Sequence, residues 1–312
     1  MNSRPVNRAS GPTIAAIGGG HGLAMTLRAA RNYAGMITAV VSVADDGGST
    51  GRLRRDLGVL GVGDLRKCLV ALANPSARSG VNGGESVWPD AFEHRFAAGE
   101  LDGHALGNLI LVGLAEVTGD YERALAIAGE VLGAVGRVLP ATSEPVVLKA
   151  EVDGGEVEGQ VAVQNATARI QRVAIVPPDA KSPDAVGAAI RAADQVVLAP
   201  GSLFTSLLPT LCVTAVRDAL GETPATIVFV GNLHARERET QGLDATAHLR
   251  AVLDMGVRVD DFVIDSGSGL AVDEAEISRL GVRLTRADVA RGDLSAHEPT
   301  KLAPVLATLS ES

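Results

Sequence analysis

Two adjacent carboxylates, Asp45 and Asp46, open the run D-D-G-G-S-T-G-R-L-R-R that ends at Arg55. Neighbouring acids at the end of an apolar segment offer oxygen ligands to Mg²⁺, an ion that usually shares its shell with substrate phosphates. Gly47, Gly48, Ser49, Thr50 and Gly51 follow with N–H and O–H donors for a phosphate. Arg52, Arg54 and Arg55 add guanidinium groups, whose planar fork suits phosphate oxygens. Asp45 also stands just past a β-branched apolar run, where a dinucleotide fold places its ribose-binding acid. The plainer alternative is an Asp-Gly turn leading into a solvated basic helix. The concentration of ligand-directed groups favours the chemical reading.

Other stretches fit the same purpose. G-G-G-H-G-L, Gly18 to Leu23, joins an apolar strand to a helix, where exposed N–H groups and the helix dipole favour an anion. It is neither a G-x-G-x-x-G fingerprint nor a P-loop, and His21 could be a polar turn residue. A-P-G-S-L-F-T-S-L-L-P, Ala199 to Pro209, presents another helix start, with Ser202 as a cap and Thr205 and Ser206 in the first turn. An ordinary capped helix explains it equally well. V-G-N-L-H puts Asn232 at a strand end, for a ligand edge or an Asx turn. G-V-G-D-L-R-K places Asp64 at an N-cap with Arg66 and Lys67 in the first turn, where cations oppose the dipole unless an anion is near. D-G-H-A-L-G-N-L sets His104 and Asn108 on one helix face; a part-buried Asn108 needs a partner, either backbone or ligand.

The elements that must carry these groups read as α/β. A strand over 13–17, a helix over 23–33 and a strand over 37–44 make a βαβ unit. Helical patterning recurs over 63–73, 89–97, 105–118 and 121–132, with a Gly/Ser-rich loop over 76–86 between the first two. Residues 145–177 alternate and turn like an antiparallel insertion. Strands over 195–199, 225–230 and 261–264 then alternate with helices over 182–193, 203–220 (broken at Pro209) and 245–255. The expectation is a Rossmann-like parallel sheet with helices on both faces, forming one domain over 13–290. Residues 1–12 read as a flexible tail, and 291–312 as a polar tail of uncertain order.

The bulk composition agrees. Hydrophobic residues make up 46% of the 312 and aromatics only 3%, so the core must be aliphatic. A net charge of −9 argues against sequence-independent nucleic-acid binding. Cys68 and Cys212 lie far apart with no zinc spacing and read as reduced thiols. No apolar run is long enough to span a bilayer, and the polar start lacks a signal-peptide core, so a soluble cytoplasmic protein is expected. No nucleophile elbow or HExxH motif appears.

Taken in order, G-G-G-H-G-L, V-A-D-D-G-G-S-T-G-R-L-R, G-D-L-R-K, G-H-A-L-G-N-L and P-G-S-L-F-T-S-L-L-P resemble the gluconeogenesis factors (YvcK-type), relatives in fold of 2-phospho-L-lactate transferase. The resemblance runs from about Ile14 to Val263. It implies a Rossmann-like core and a cytoplasmic protein tied to gluconeogenic growth, cell shape and cell-wall precursor supply. It implies a nucleotide-sugar ligand such as UDP-N-acetylglucosamine, with NAD also proposed, and a regulator more than an enzyme. By resemblance Gly19, Gly20, His21, Gly22 and Leu23 would wrap the diphosphate. Asp45 and Asp46 would form an acidic centre with Ser49, Thr50 and Arg52 beside it. Asp64, Arg66, Asn108, Gly201, Ser202 and Thr205 would complete the crevice. Two departures stand out: His21 replaces a common hydroxyl residue, and the loop from Asn232 to Thr240 is unusually charged. The implied partners are a UDP-sugar and a protein of cell-wall precursor synthesis, with homo-oligomerisation open and neither nucleic acid nor membrane expected. The alternative is a Mg²⁺-dependent 2-phospho-L-lactate transferase-like phosphotransferase, with Asp45 and Asp46 holding the metal. A NAD-dependent dehydrogenase ranks third, for want of a proton donor.

Overall fold

The structure is a computed structural model that describes residues 11–74, 86–235 and 237–311. The expected flexibility of residues 1–12 and the loop over 76–86 falls almost wholly outside these.

Seven strands form one sheet: β1 (Thr13–Gly18), β2 (Met36–Val41), β3 (Arg137–Pro140), β7 (Gln195–Leu198), β8 (Thr226–Val230), β9 (Asp261–Asp265) and β10 (Arg283–Ala287). Their order is β10-β9-β8-β7-β1-β2-β3, and every pairing is parallel. The central strands TIAAIG, QVVL and TIVFV are buried nearly throughout, as strands covered on both faces must be. Helices on both faces supply the cover. Gly20–Ala30, with Leu23, Leu27 and Ala30 fully buried, packs against the helices Val62–Leu72 and Pro299–Leu309.

Between β3 and β7 lies the expected antiparallel insertion: β4 (Val147–Val152), β5 (Gly155–Glu158) and β6 (Ile170–Val176), in the order β5-β4-β6. The D-G-G turn closes its hairpin.

Three differences from the sequence reading have physical causes. The helical stretch after β7 breaks at Cys212–Val213, not at Pro209, which sits where a π-helical turn (Leu203–Leu207) gives way to the α-helical Leu208–Leu211. Residues 273–290 add a helix (Glu274–Arg279) and the charged edge strand β10, which lacks the apolar alternation of an interior strand. The polar C-terminal tail holds an ordered helix, Pro299–Leu309, whose Leu302, Leu306 and Leu309 are buried at helical spacing. Gln195 fastens this helix to the sheet: its Nε2 donates to the Leu306 carbonyl at 2.9 Å and its Oε1 accepts from the Tyr33 hydroxyl at 2.7 Å.

Candidate functional site

Sequence order reverses between β1 and β7, the switch point where an open parallel sheet splays its loops and leaves a crevice. A cleft of about 360 Å³ lies there, between the turn Gly19–Gly22 after β1 and the turn at Gly201 and Ser202 after β7. Asp45, Asp64, Lys67 and Glu237 bring charge to its other walls. A larger hollow of about 850 Å³ beside β6 contains none of the predicted residues. Two of its arginines are already engaged, Arg217 by the carbonyls of Leu211 and Cys212 and Arg250 by Glu276.

The glycines of the first turn serve close approach. A Cβ on Gly22 would stand 1.8 Å from the Pro200 carbonyl oxygen, so the two turns touch backbone to backbone. A Cβ on Gly19 would stand 2.6 Å from Asp64 Oδ2. Gly20 adopts φ 64°, and its N–H donates to Asp64 Oδ2 at 2.7 Å. Lys67 Nζ donates to Asp64 Oδ1 at 2.9 Å. The anion position at this helix start is thus held by an internal carboxylate. Leu23 is fully buried and belongs to the core, while His21 faces the cleft. Partial shielding from water, then the Lys67 charge, holds the His21 imidazole below its usual range.

The acidic loop divides. Asp45 lines the cleft and accepts the Gly47 N–H on Oδ1 at 3.0 Å. Burial first, and the Asp64 charge second, push its carboxyl up; the Gly47 and Thr50 donors oppose this. Asp46 turns away: Oδ2 accepts the Gln160 N–H at 2.8 Å and Oδ1 the Val161 N–H at 2.9 Å, fixing the start of helix Gln160–Gln164. The carboxylates that share the cleft are therefore Asp45 and Asp64, not Asp45 and Asp46, and any Mg²⁺ would fall to that pair. Among the described residues no group of three or more His, Cys, Asp or Glu side chains is placed to hold a metal ion.

Ser49, Arg52, Arg66 and Asn108 are not in the cleft. They form a polar spine beside it with His104. Arg52 Nε donates to His104 Nε2 at 2.9 Å, and since guanidinium can only donate, the ring proton must sit on Nδ1. That N–H then donates to Ser49 Oγ, 3.1 Å away. Burial, followed by the Arg52 charge, pulls the His104 pKa down, in keeping with a neutral ring. Arg66 is 2% exposed; its Nε donates to Asn108 Oδ1 at 3.0 Å and its Nη1 to the Phe92 carbonyl and to Glu93. Arg54 donates to the carbonyls of Asp45 and Val146. Arg52 and Arg54 of the acidic loop therefore bind protein, while Arg55 is exposed.

Across the cleft, Asn232 clamps the second turn: Oδ1 accepts the Gly201 N–H at 2.7 Å and Nδ2 donates to the Gly201 carbonyl at 2.8 Å. Ser202 and Thr205 reach the cleft as expected. Glu237 and Lys67 also line it without having been singled out as ligand groups. The unusual charge of the loop from Asn232 to Thr240 was the available signal for Glu237. Lys67 lies beside Arg66 in the second turn of helix Val62–Leu72, whose first turn, not its N-cap, holds Asp64; only the seat of Asp64 against Gly20 separates Lys67 from Arg66.

A seven-stranded, all-parallel sheet flanked by helices, with a polar cleft at its switch point, defines a Rossmann-like α/β fold. Residues 14–290 match the 2-phospho-L-lactate transferase CofD family. The gluconeogenesis factor of Halalkalibacterium halodurans is 37% identical, over 86% of this chain and 87% of its own. A Mycobacterium leprae protein provisionally named a gluconeogenesis factor is 41% identical over 96% of this chain and 87% of its own. The crystal structure of a UPF0052 family member from Bacillus halodurans matches at TM-score 0.88 and 34% identity, covering 95% of this chain and 99% of that one. The chain belongs to the CofD family and, within it, to the gluconeogenesis factors. Among the described residues no single helix is long and apolar enough to cross a membrane; the bent pair Leu203–Leu211 and Thr214–Glu222 buries its apolar residues in the core.

Proposed function

We propose that this protein binds a nucleotide-sugar of the UDP-N-acetylglucosamine kind in the switch-point cleft. Through a protein partner in the cytoplasm it would adjust carbon flux into cell-wall precursors and so cell shape. The observation that carries the reading is the seat of Asp64, whose carboxylate rests where the Gly20 N–H and Lys67 converge. Such convergence of donors marks a place for an anion, and a ligand diphosphate would compete with Asp64 for it. Around that point Asp45, Glu237 and Ser202 offer acceptors to the hydroxyls that a sugar and a ribose carry.

A Mg²⁺-dependent transferase of the 2-phospho-L-lactate type is the second reading, favoured by the approach of Asp45 to Asp64. Those two side chains would hold the ion, which would neutralise charge on a transferred phosphoryl group. Thermal unfolding against UDP-N-acetylglucosamine, UDP-glucose, NAD and GDP, each with and without Mg²⁺, separates the readings. A ligand at about 100 times its Kd adds about 2.7 kcal/mol, a rise of roughly 5 °C in a chain this long. A rise with the UDP-sugar regardless of Mg²⁺ supports the regulator. A rise only with Mg²⁺, and as large with GDP, favours the transferase, and one confined to NAD overturns both.

A further inference from the structure

The loop after β8 sets a pair of acids against the cleft, and one of them lacks what a buried charge requires. Glu239 is 5% exposed, and among the described residues neither of its carboxylate oxygens accepts a well-formed hydrogen bond. Thr205 Oγ1, itself buried, and the Phe204 N–H are the donors nearest to it, and neither completes a well-formed bond. Glu237 precedes the same 3₁₀ turn (Arg238–Thr240), lines the cleft and accepts the Ser202 hydroxyl on Oε2 at 2.8 Å. The carboxyl groups of Glu239 and Glu237 adjoin. Two carboxylates are acceptors only, so their contact becomes a hydrogen bond only when one carries a proton. A proton on Glu239 supplies the absent donor and converts a repulsive contact into a bond.

We propose that Glu237 and Glu239 share one proton at the Ser202 end of the cleft, that Glu237 receives hydroxyls of the bound ligand, and that Glu239 is the positioning residue behind it. The ligand half of this rests on the nucleotide-sugar reading; the proton half does not.

Among the described residues, the Thr205 hydroxyl and the Phe204 N–H are the donors that oppose the rise at Glu239, and both are outweighed. The 3₁₀ turn packs on the segment Leu203–Leu207 and on the helix Gln160–Gln164, neither of which carries a titratable side chain. Arg238 lies on the turn itself, and His21, Asp45, Asp64 and Lys67 line the same cleft. Burial first, and the Glu237 charge second, push the Glu239 carboxyl up to about 7. Above that pH the pair loses its proton, and a second negative charge arises beside an anionic ligand. Affinity should therefore be highest below about pH 7 and fall as pH rises through it.

Two measurements on the full chain test the proposal. Infrared difference spectra without ligand should show a protonated-carboxyl stretch that disappears with a midpoint near pH 7 and is missing in Glu239→Gln. Calorimetry with UDP-N-acetylglucosamine from about pH 6 to about pH 8.5 should show at least a roughly fivefold loss of affinity in the wild type, with the slope flattened in Glu239→Gln. Glu237→Gln should weaken binding at every pH. A spectrum identical in wild type and Glu239→Gln overturns the shared proton. Binding with the same pH slope in both proteins overturns the positioning role. The carboxyl band without binding at any pH supports the pair and overturns the nucleotide-sugar reading instead.

Discussion

The cleft and the spine beside it are made of the same residue types and use them in opposite ways. In the cleft, Asp45, Asp64, Lys67 and Glu237 have few internal partners each and face open volume. In the spine, Arg66, Asn108, Ser49, His104 and Arg52 bond one another in sequence, with Arg66 sealed off from water. A guanidinium that has its carbonyl and amide acceptors nearby is spent on the fold. A cation whose partner, among the described residues, is a carboxylate at a helix start remains available for exchange. The number of internal partners, more than residue type, separates the two roles.

Arg66→Ala puts this division under the heaviest load. It strips Asn108 Oδ1 and the Phe92 carbonyl of their donor and leaves Glu93 without its cation. Breaking a buried charged network from one side costs about 3–5 kcal/mol, or a fall of roughly 10 °C in Tm. Arg66→Lys should recover little, because an ammonium cannot reproduce the fork. A variant that keeps its Tm but loses nucleotide-sugar affinity would move Arg66 into the cleft.

The two glycines of the first turn give a narrower test. Gly22→Ala drives a Cβ into the Pro200 carbonyl, backbone that cannot swing aside, so the seam between the β1 and β7 turns must open. A cost of about 2–3 kcal/mol is expected, with loss of binding. Gly20→Ala meets nothing within 4 Å and pays only for its positive φ, about 1–2 kcal/mol. Equal losses of Tm in the two variants would mean that strain and not backbone contact makes this turn glycine-rich.

Most of the fold was legible because β-branched strands and strand-to-helix glycine turns are local patterns: β1, β2, β7 and β8 lie within a few residues of their expected bounds. The C-terminal helix was obscured by Pro304 within it and by polar residues ahead of it. The cleft was legible at Gly19–Gly22, Asp45, Asp64 and Ser202, all near the ends of strands or the starts of helices. Its misreadings share one cause. Asp46 caps a helix 114 residues away in sequence, and Arg52 finds His104 52 residues on. Long-range partners of this kind leave no trace in local spacing, so a satisfied arginine and a phosphate-binding arginine look alike until the chain is folded. Glu239 is the converse: nothing in R-E-R-E-T distinguishes an acid that will be buried from one that will be solvated.

Lys67 offers the finest cut between the two regions. Its side chain is 24% exposed and that of its partner Asp64 10%, so the pair is partly screened and contributes at most about 1 kcal/mol to stability. Lys67→Met preserves most of the side-chain length and removes the charge. Asp64 then keeps the Gly20 N–H but loses its cation, and a diphosphate arriving there meets an uncompensated carboxylate. Tm should fall by no more than roughly 3 °C, while affinity for UDP-N-acetylglucosamine, measured by calorimetry, should drop about tenfold or more, the equivalent of 1.4 kcal/mol. High salt should narrow the difference between wild type and variant, since the lost term is electrostatic. A Tm loss as large as that of Arg66→Ala, with affinity unchanged, would place Lys67 in the spine and leave the cleft without a cation for the phosphates.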